Sequence, residues 1–372
     1  MKIAVLSSHT PSLFWFRMDM MQAFRSLGHE VVAISDEPEE LWAEEFKDKG
    51  IKYRQAFVCR TGTNPVNDIK TFFSLRKILK EEAPDKIFTY QAKTVIYGSL
   101  AAKTLGITET YPLIAGIGSV FLSKGTKARL LSFILKTEYR AALRNRPAVF
   151  FQNPDDVELF LKMKTIRKER ACLLNGSGVN LDIFTPLSHP DGCHFLCISR
   201  LIKDKGVREY LEAAKKVKEK HPECRFLLVG PYDSNPSALT PEELKPFTDS
   251  GCVEYFGEQT DVRPYLEQCN VFVLPSYREG TPKTVLEAMA TERAIITTDA
   301  PGCRETVADG HNGFLVPVMD VDSLAQKMEI FINNNALAQE MGKRGRDLVE
   351  EKFDVKKVNQ AIVTAMKIQE EN

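Results

Sequence analysis

Val271-Phe272-Val273-Leu274-Pro275-Ser276-Tyr277-Arg278-Glu279-Gly280-Thr281-Pro282-Lys283-Thr284-Val285-Leu286-Glu287-Ala288 is the stretch that decides how the chain is read. Four apolar residues closed by a proline predict a buried parallel strand, because a strand covered on both faces shows no polar alternation. From Thr281 the pattern turns helical, with Val285, Leu286 and Met289 on one side and Pro282 in the first turn, where its missing N–H is not needed. The N–H groups of Lys283, Thr284 and Val285 are expected to point into the loop crevice with the positive end of the helix behind them, which suits a diphosphate. Gly280 lets a ligand come close to the backbone. Glu279 precedes the helix and Glu287 lies eight positions on, so one carboxylate can meet the head of an extended ligand and the other its tail. Carboxylates accept from paired hydroxyls, and the ligand suggested is a sugar joined through phosphates to a ribose. Taken singly, the two glutamates would read as a loop charge and a solvated helix charge. The turn and helix start that separate them favour binding.

Working outward, His194 to Ile198 predicts another buried strand, followed by Arg200, Lys205 and Gly206 on a loop and a helix over 207–219. Two cations at a strand's carboxyl end can clamp a diphosphate and stabilise it as a leaving group. Alone they would be an exposed basic loop. Further strands are predicted at 225–229, 252–256 and 294–298, then helices at 321–333, 336–351 and 355–370. Asp320-Val321-Asp322 has the spacing of a metal-binding triplet, but it opens a helix, where aspartate is a common cap. No His, Cys and carboxylate cluster for a metal stands out.

The first half alternates in the same way: strand 3–6, helix 14–27, strand 29–34, helix 39–49, strand 51–57, helix 65–82, strand 85–89, helix 94–105 and strand 110–115. This alternation implies a parallel sheet covered on both faces, with ligands beyond the carboxyl ends of its strands. The loops of interest are therefore Ser7 to Ser12, Tyr90 to Thr94 and Ala115 to Ser119. His9 reads as a turn residue. Lys93 sits at a helix start, where the dipole disfavours a cation unless an anion is near. Gly116-Ile117-Gly118 reads either as backbone kept bare for a ligand or as a plain turn. Residues 121–146 hold seven basic residues and one acid, Glu138, with Leu130, Leu131, Phe133, Ile134, Leu135, Tyr139 and Leu143 supplying an apolar face. Such a helix either lies in a membrane interface or packs on the core with a solvated basic face. Phe184 to Gly192, with Pro186 and Pro190, reads as a linker, giving domains at 1–187 and 192–354.

At 372 residues the chain is too long for one ordinary core and suits two domains. Net charge is zero overall, yet residues 1–190 carry +7 and residues 191–372 carry −7. Anionic partners are thus expected at the first half. Eight cysteines without a C-x-x-C pair, several inside apolar runs, read as free thiols in a reducing cytosol. Met1 to Leu6 reads as a first strand, too short for a signal peptide. No run of about 18 apolar residues is present to span a bilayer.

The Glu279-to-Glu287 segment resembles the E-x7-E signature of glycosyltransferase family 4. These are retaining enzymes of the GT-B fold, in which two Rossmann-like domains face across a cleft and a final helix, here 355–372, crosses back to the first. The resemblance covers nearly the whole chain. It is specific in the second half, at Arg200, Lys205, Gly206, Phe256-Gly257, Pro275-Ser276, Asp299 to Glu305 and Asn312 to Pro317. In the first half the pattern His9, Phe16-Arg17, Lys93, Gly116-x-Gly118 and Asn153 resembles the subfamily acting on undecaprenyl-diphosphate-linked sugars. That subfamily includes the N-acetylgalactosaminyltransferase that extends diacetylbacillosaminyl-diphospho-undecaprenol.

The resemblance implies transfer of a hexose or N-acetylhexosamine from a UDP-sugar to a lipid-diphosphate-linked sugar, with no permanently bound cofactor and no structural metal. Arg200 and Lys205 would hold the donor diphosphate and Glu287 the ribose. Glu279 with Gly280, Thr281 and Pro282 would hold the donor sugar, beside Lys283 and Thr284. His9, Lys93, Gly116 and Gly118 would face the acceptor, and residues 121–146 the inner surface of the plasma membrane. No nucleic acid is implied. The loop at 115–119 departs from the family pattern by lacking the histidine many members carry there. Two alternatives stay open: a UDP-sugar epimerase of the same fold, and, because of the missing histidine, a nucleotide-sugar-binding protein without catalysis.

Overall fold

Strands buried on both faces must pair in parallel between helical layers, and Lys2–Leu6 (β1), enclosed from Ile3 onward, is of that kind. The computed structural model describes residues 1–60, 62, 64–116, 126–235 and 237–370. It divides into two units, Met1–Ser177 with Val355–Asn372, and Gly178–Asp354.

In the first unit β1 joins Glu30–Ser35 (β2), Lys52–Gln55 (β3), Lys86–Tyr90 (β4), Thr110–Ile114 (β5), Val149–Phe151 (β6) and Ala171–Leu173 (β7). The sheet order is β3-β2-β1-β4-β5-β6-β7, parallel throughout. Its helices are Thr10–Ser26 (α1), Glu39–Asp48 (α2), Pro65–Glu82 (α3), Ser99–Thr104 (α4), Thr126–Leu143 (α5) and Pro154–Lys162 (α6). Leu75, Ile96, Tyr139 and Phe160 form the core on one face of the sheet. Leu13, Phe24 and Phe46 form it on the other, together with Val358 and Ile362 from the returning segment.

The second unit repeats the scheme with Phe195–Ile198 (β8), Phe226–Val229 (β9), Glu254–Tyr255 (β10), Val271–Leu274 (β11), Ala294–Thr298 (β12) and Gly313–Val316 (β13), in the order β10-β9-β8-β11-β12-β13. Its helices are Val207–Lys220 (α7), Pro241–Asp249 (α8), Arg263–Leu266 (α9), Lys283–Ala290 (α10), Val321–Asn333 (α11) and Asn335–Leu348 (α12), and Val355–Ala365 (α13) then joins the first unit. Strand order reverses between β1 and β4 in one sheet and between β8 and β11 in the other. Connections there leave on opposite faces and open a crevice at the carboxyl ends.

Local departures from the expected elements have local causes. The helix expected over 94–105 begins as a π-helical turn, Thr94–Gly98, and continues as α4. The helix α8, not anticipated, is closed by a capping box between Thr240 and Glu243. The segment 184–192 is fastened to the second unit: Arg346 donates to the Phe184 carbonyl at 2.8 Å, and the buried Arg293 donates to the carbonyls of Leu187 and Ser188. Asp320 caps α11 by accepting from the Ser323 N–H at 2.9 Å, and Asp322 pairs with Lys216. All eight cysteines are free, six of them buried. Among the described residues no helix is long and apolar enough to cross a membrane, and no group of three or more His, Cys, Asp or Glu is placed to hold a metal.

Candidate active site

The crevice between β8 and β11 is built by three loops whose backbones touch. Gly206 has φ +69°, and a Cβ there would stand 2.0 Å from the Pro275 carbonyl oxygen. Gly302 has φ +84°, and its Cβ would stand 2.2 Å from the Glu279 carbonyl oxygen. Only glycine fits at either point. Hydrogen bonds complete the joint: the Tyr277 N–H donates to the Asp204 carbonyl at 2.9 Å and the Glu279 N–H to the Pro301 carbonyl at 2.9 Å. The Tyr277 hydroxyl donates to Glu209 at 2.5 Å. The loop carrying Glu279 is therefore held on both sides by backbone.

Lys205 Nζ donates to Glu279 Oε1 in a largely enclosed ion pair. Arg200, on the same loop, turns instead to Asp233, Nη1 to Oδ2 2.8 Å, and remains exposed. The two cations expected to act as one clamp thus hold separate carboxylates. Asp233, which follows β9, could not be paired with Arg200 from sequence, since nothing in the spacing of residues 200 and 233 marks them as neighbours. Gly302 is the other residue not singled out for a role, although the Ala300-Pro301-Gly302 turn was a visible signal.

Glu287 lies in the second turn of α10 with Lys283 one turn before it, Nζ to Oε1 3.8 Å. It is 8% exposed, and burial pushes its carboxyl up to about 7 while Lys283 pulls it down. A buried carboxyl with one cation at long range is short of donors, and ribose hydroxyls are donors of the right kind. The helix begins at Lys283 with Pro282 as its cap residue, not at Thr281. The Val285 N–H already donates to the Pro282 carbonyl at 3.1 Å, so it is not one of the unfilled groups expected there. Pro282 and Gly280 are buried, whereas Thr281, Lys283 and Thr284 are half-buried. Beneath the loop, burial pushes the Cys303 thiol up to about 12, which keeps it neutral and unsuited to nucleophilic attack.

In the first unit the loops after β1 and β4 meet through Gln91, whose Oε1 accepts from Ser7 Oγ at 3.0 Å, the Ser8 N–H at 2.9 Å and Ser8 Oγ at 2.8 Å. His9 is the N-cap of α1, its Nδ1 accepting from the Ser12 N–H at 3.3 Å. Lys93 pairs with Asp68 of α3, so the anion expected beside it is supplied by the protein. Gly116 has φ +120°, and Gly118 lies outside the described residues. His9, Lys93 and Gly116 thus follow three strands adjacent in the sheet, β1, β4 and β5. On α5, Tyr139, Ala142 and Leu143 are buried, whereas Leu130, Phe133 and Ile134 are exposed at 62%, 67% and 44%. Residues 121–125 of the basic stretch lie outside the described residues, and Arg146 is internal, donating to the carbonyls of Ala142 and Ser99.

Residues 192–334 match the family model described as glycosyl transferases group 1, and residues 2–153 match one described as glycosyl transferase 4-like. The chain is 31% identical over 357 residues to the N,N'-diacetylbacillosaminyl-diphospho-undecaprenol alpha-1,3-N-acetylgalactosaminyltransferase of Campylobacter jejuni, covering 92% of each. It is 25% identical over 317 residues to the UDP-Gal:alpha-D-GlcNAc-diphosphoundecaprenol alpha-1,3-galactosyltransferase of Escherichia coli, covering 81% of this chain and 79% of that one. Among solved structures, HepE of Anabaena in complex with UDP and glucose superposes with a TM-score of 0.79 at 16% identity, covering 99% of each chain.

Proposed function

Since this chain belongs to the family 4 glycosyltransferases, we propose that it moves a hexose or N-acetylhexosamine from a UDP-sugar to a sugar carried on undecaprenyl diphosphate, with retention at the anomeric carbon. The observation that carries this reading is the crevice between β8 and β11, where the Lys205–Glu279 and Lys283–Glu287 pairs flank one backbone loop. Lys205 and Arg200 exchange their carboxylate partners for the donor diphosphate. Glu279 is then released toward the donor sugar with the backbone of Gly280, Thr281 and Pro282, and Glu287 accepts from the ribose hydroxyls. Lys283 and Thr284 stand beside the nucleotide at the start of α10.

The bond from the anomeric carbon to the diphosphate oxygen breaks, and a bond to the acceptor hydroxyl oxygen forms on the same face. The hydroxyl proton passes to the departing diphosphate. Lys205 and Arg200 stabilise the charge that develops on that leaving group. No enzyme nucleophile and no metal is required in this scheme. The acceptor is assigned to the first unit, along the loops of His9, Lys93 and Gly116, with Gly118 two positions further along the sequence. A lipid-borne acceptor suits a protein lying on the inner face of the membrane. The exposed Leu130, Phe133 and Ile134 beside Arg129 and Lys136 support such contact, and so does the exposed stripe Val66, Ile69 and Phe73 on α3.

The test is a thermal-shift panel of UDP, GDP, ADP and UDP-sugars on wild type and Glu287→Ala, followed by transfer to a polyprenyl-diphosphate-linked N-acetylhexosamine. A ligand at about 100 times its Kd should stabilise the protein by ~2.7 kcal/mol. A UDP-selective shift lost in the variant, and an axial product bond from an axial donor, are the expected results. Preference for GDP or ADP overturns the donor, and an inverted product overturns the stereochemistry. Interconversion of UDP-sugars without acceptor would identify an epimerase instead.

A further inference from the structure

Arg17 is 97% enclosed between α1 and the sheet, with its guanidinium carbon 4.8 Å from the Tyr90 ring centre and 5.9 Å from that of Phe88. Among the described residues no carboxylate pairs with it and none of its nitrogens finds an acceptor, Nε being fully enclosed as well. Residues 117–125, which lie outside the described residues, contain no acidic residue. A buried guanidinium with neither counter-ion nor hydrogen-bond acceptor is costly, and folded proteins otherwise pair such groups. The other buried arginines here follow that rule: Arg146 donates to the carbonyls of Ala142 and Ser99, and Arg293 to four carbonyls. Burial holds the Arg17 guanidinium below its ordinary range.

Its position matters as much as its isolation. Tyr90 ends β4, and its hydroxyl lies 3.2 Å from Ser12 Oγ in the first turn of α1, the helix that follows β1. Arg17 therefore stands beside the reversal of strand order between β1 and β4, where ligands of such sheets sit. Lys93, which also follows β4, is already neutralised by Asp68.

We propose that Arg17 is the receptor for a phosphate group of the lipid-diphosphate acceptor, which supplies the anion that none of the described residues provides. This assignment of the anion rests on the reading of the first unit as the acceptor-binding one. A guanidinium offers a planar fork of N–H donors that matches two phosphate oxygens, and the rings of Tyr90 and Phe88 hold it by cation–π contact.

The experiment is a thermal-shift titration with geranyl diphosphate in saturating UDP, which occupies the donor crevice, on wild type, Arg17→Met and Arg17→Lys. In wild type, geranyl diphosphate should add a further shift. In Arg17→Met that increment should vanish while the UDP shift stays, and the unliganded protein should melt no lower than wild type, because an unpaired buried charge has been removed. Arg17→Lys should keep part of the increment. In turnover, the KM for acceptor should rise at least ~10-fold in Arg17→Met, the range of one charge-assisted hydrogen bond, with the KM for donor unchanged. Equal increments in wild type and Arg17→Met, or no increment in wild type, overturn the proposal. So does a fall in the melting temperature of unliganded Arg17→Met with its increment intact, which would make Arg17 a packing residue on Tyr90. Inorganic phosphate acting as strongly as geranyl diphosphate overturns the acceptor as the source of the anion. Failure of the UDP shift itself tests the donor reading separately.

Discussion

Glu287 allows one substitution to be followed through two opposed effects. Its carboxyl ionises near 7 in the folded protein against an ordinary 4.5, because burial outweighs the attraction of Lys283. A folded value above the unfolded one means the stabilising contribution is complete below pH 4.5 and is lost as pH rises to about 7. At ~1.4 kcal/mol per tenfold change in proton activity, that window amounts to about 3 kcal/mol. Glu287→Gln removes the titration and keeps the shape. Its stability relative to wild type should therefore improve by about 3 kcal/mol between pH 4.5 and 8, read from urea unfolding at several pH values. UDP binding should move the other way. Glu287→Ala should weaken UDP by ~10- to 100-fold, since hydrogen bonds to a charged group contribute about 1.5–3 kcal/mol. A stability difference that does not vary with pH would refute the burial argument. UDP binding unaffected in Glu287→Ala would refute the ribose role.

Other substitutions probe separate links of the argument. Lys205→Met should fold normally by circular dichroism yet lose at least ~100-fold in kcat, because one cation worth about 2.7–4 kcal/mol to the leaving group is gone; unchanged kcat removes Lys205 from the chemistry. Gly302→Ala forces a Cβ onto the Glu279 carbonyl at φ +84° and should lower stability by about 2 kcal/mol or more and abolish the UDP-sugar shift, both read by thermal melting. Arg293→Met leaves the carbonyls of Leu187, Ser188, Cys269 and Thr291 without their donor and should cost about 3–5 kcal/mol in denaturant unfolding. Phe133→Asp removes an exposed large apolar side chain of α5 and should weaken flotation with anionic vesicles ~10-fold or more, with catalysis in detergent retained.

The strand and helix alternation was legible because fully buried strands such as Phe195–Ile198 and Val271–Leu274 are short apolar runs that no surface element would tolerate. The Glu279 to Glu287 loop was legible because proline, glycine and the helix start fix its local geometry. What could not be read was pairing between distant positions. Lys205 meeting Glu279, Arg200 turning to Asp233 and Lys93 neutralised by Asp68 depend on how loops from different strands approach. The π-helical turn at Thr94–Gly98 escaped because its residues carry the same apolar spacing as the α-helix that follows. The Val285 N–H is filled, contrary to expectation, because the helix start closes early on its own cap carbonyl, that of Pro282.

The return of α13 to the first unit has a consequence for how the protein is made. Val358, Ile362, Val363, Met366 and Ile368 fill the same face as Leu13, Met20 and Phe24, and the His29 ring binds the Gln369 carbonyl at 2.8 Å. Residues 178–354 form a unit of their own between the two parts. A ribosome therefore releases every residue of the second unit before it delivers the helix that closes the first. During synthesis the later-made unit can be finished while the earlier-made one still exposes an apolar face. A stalled or clipped chain lacking 355–370 would fail as an aggregating first unit attached to an intact second one.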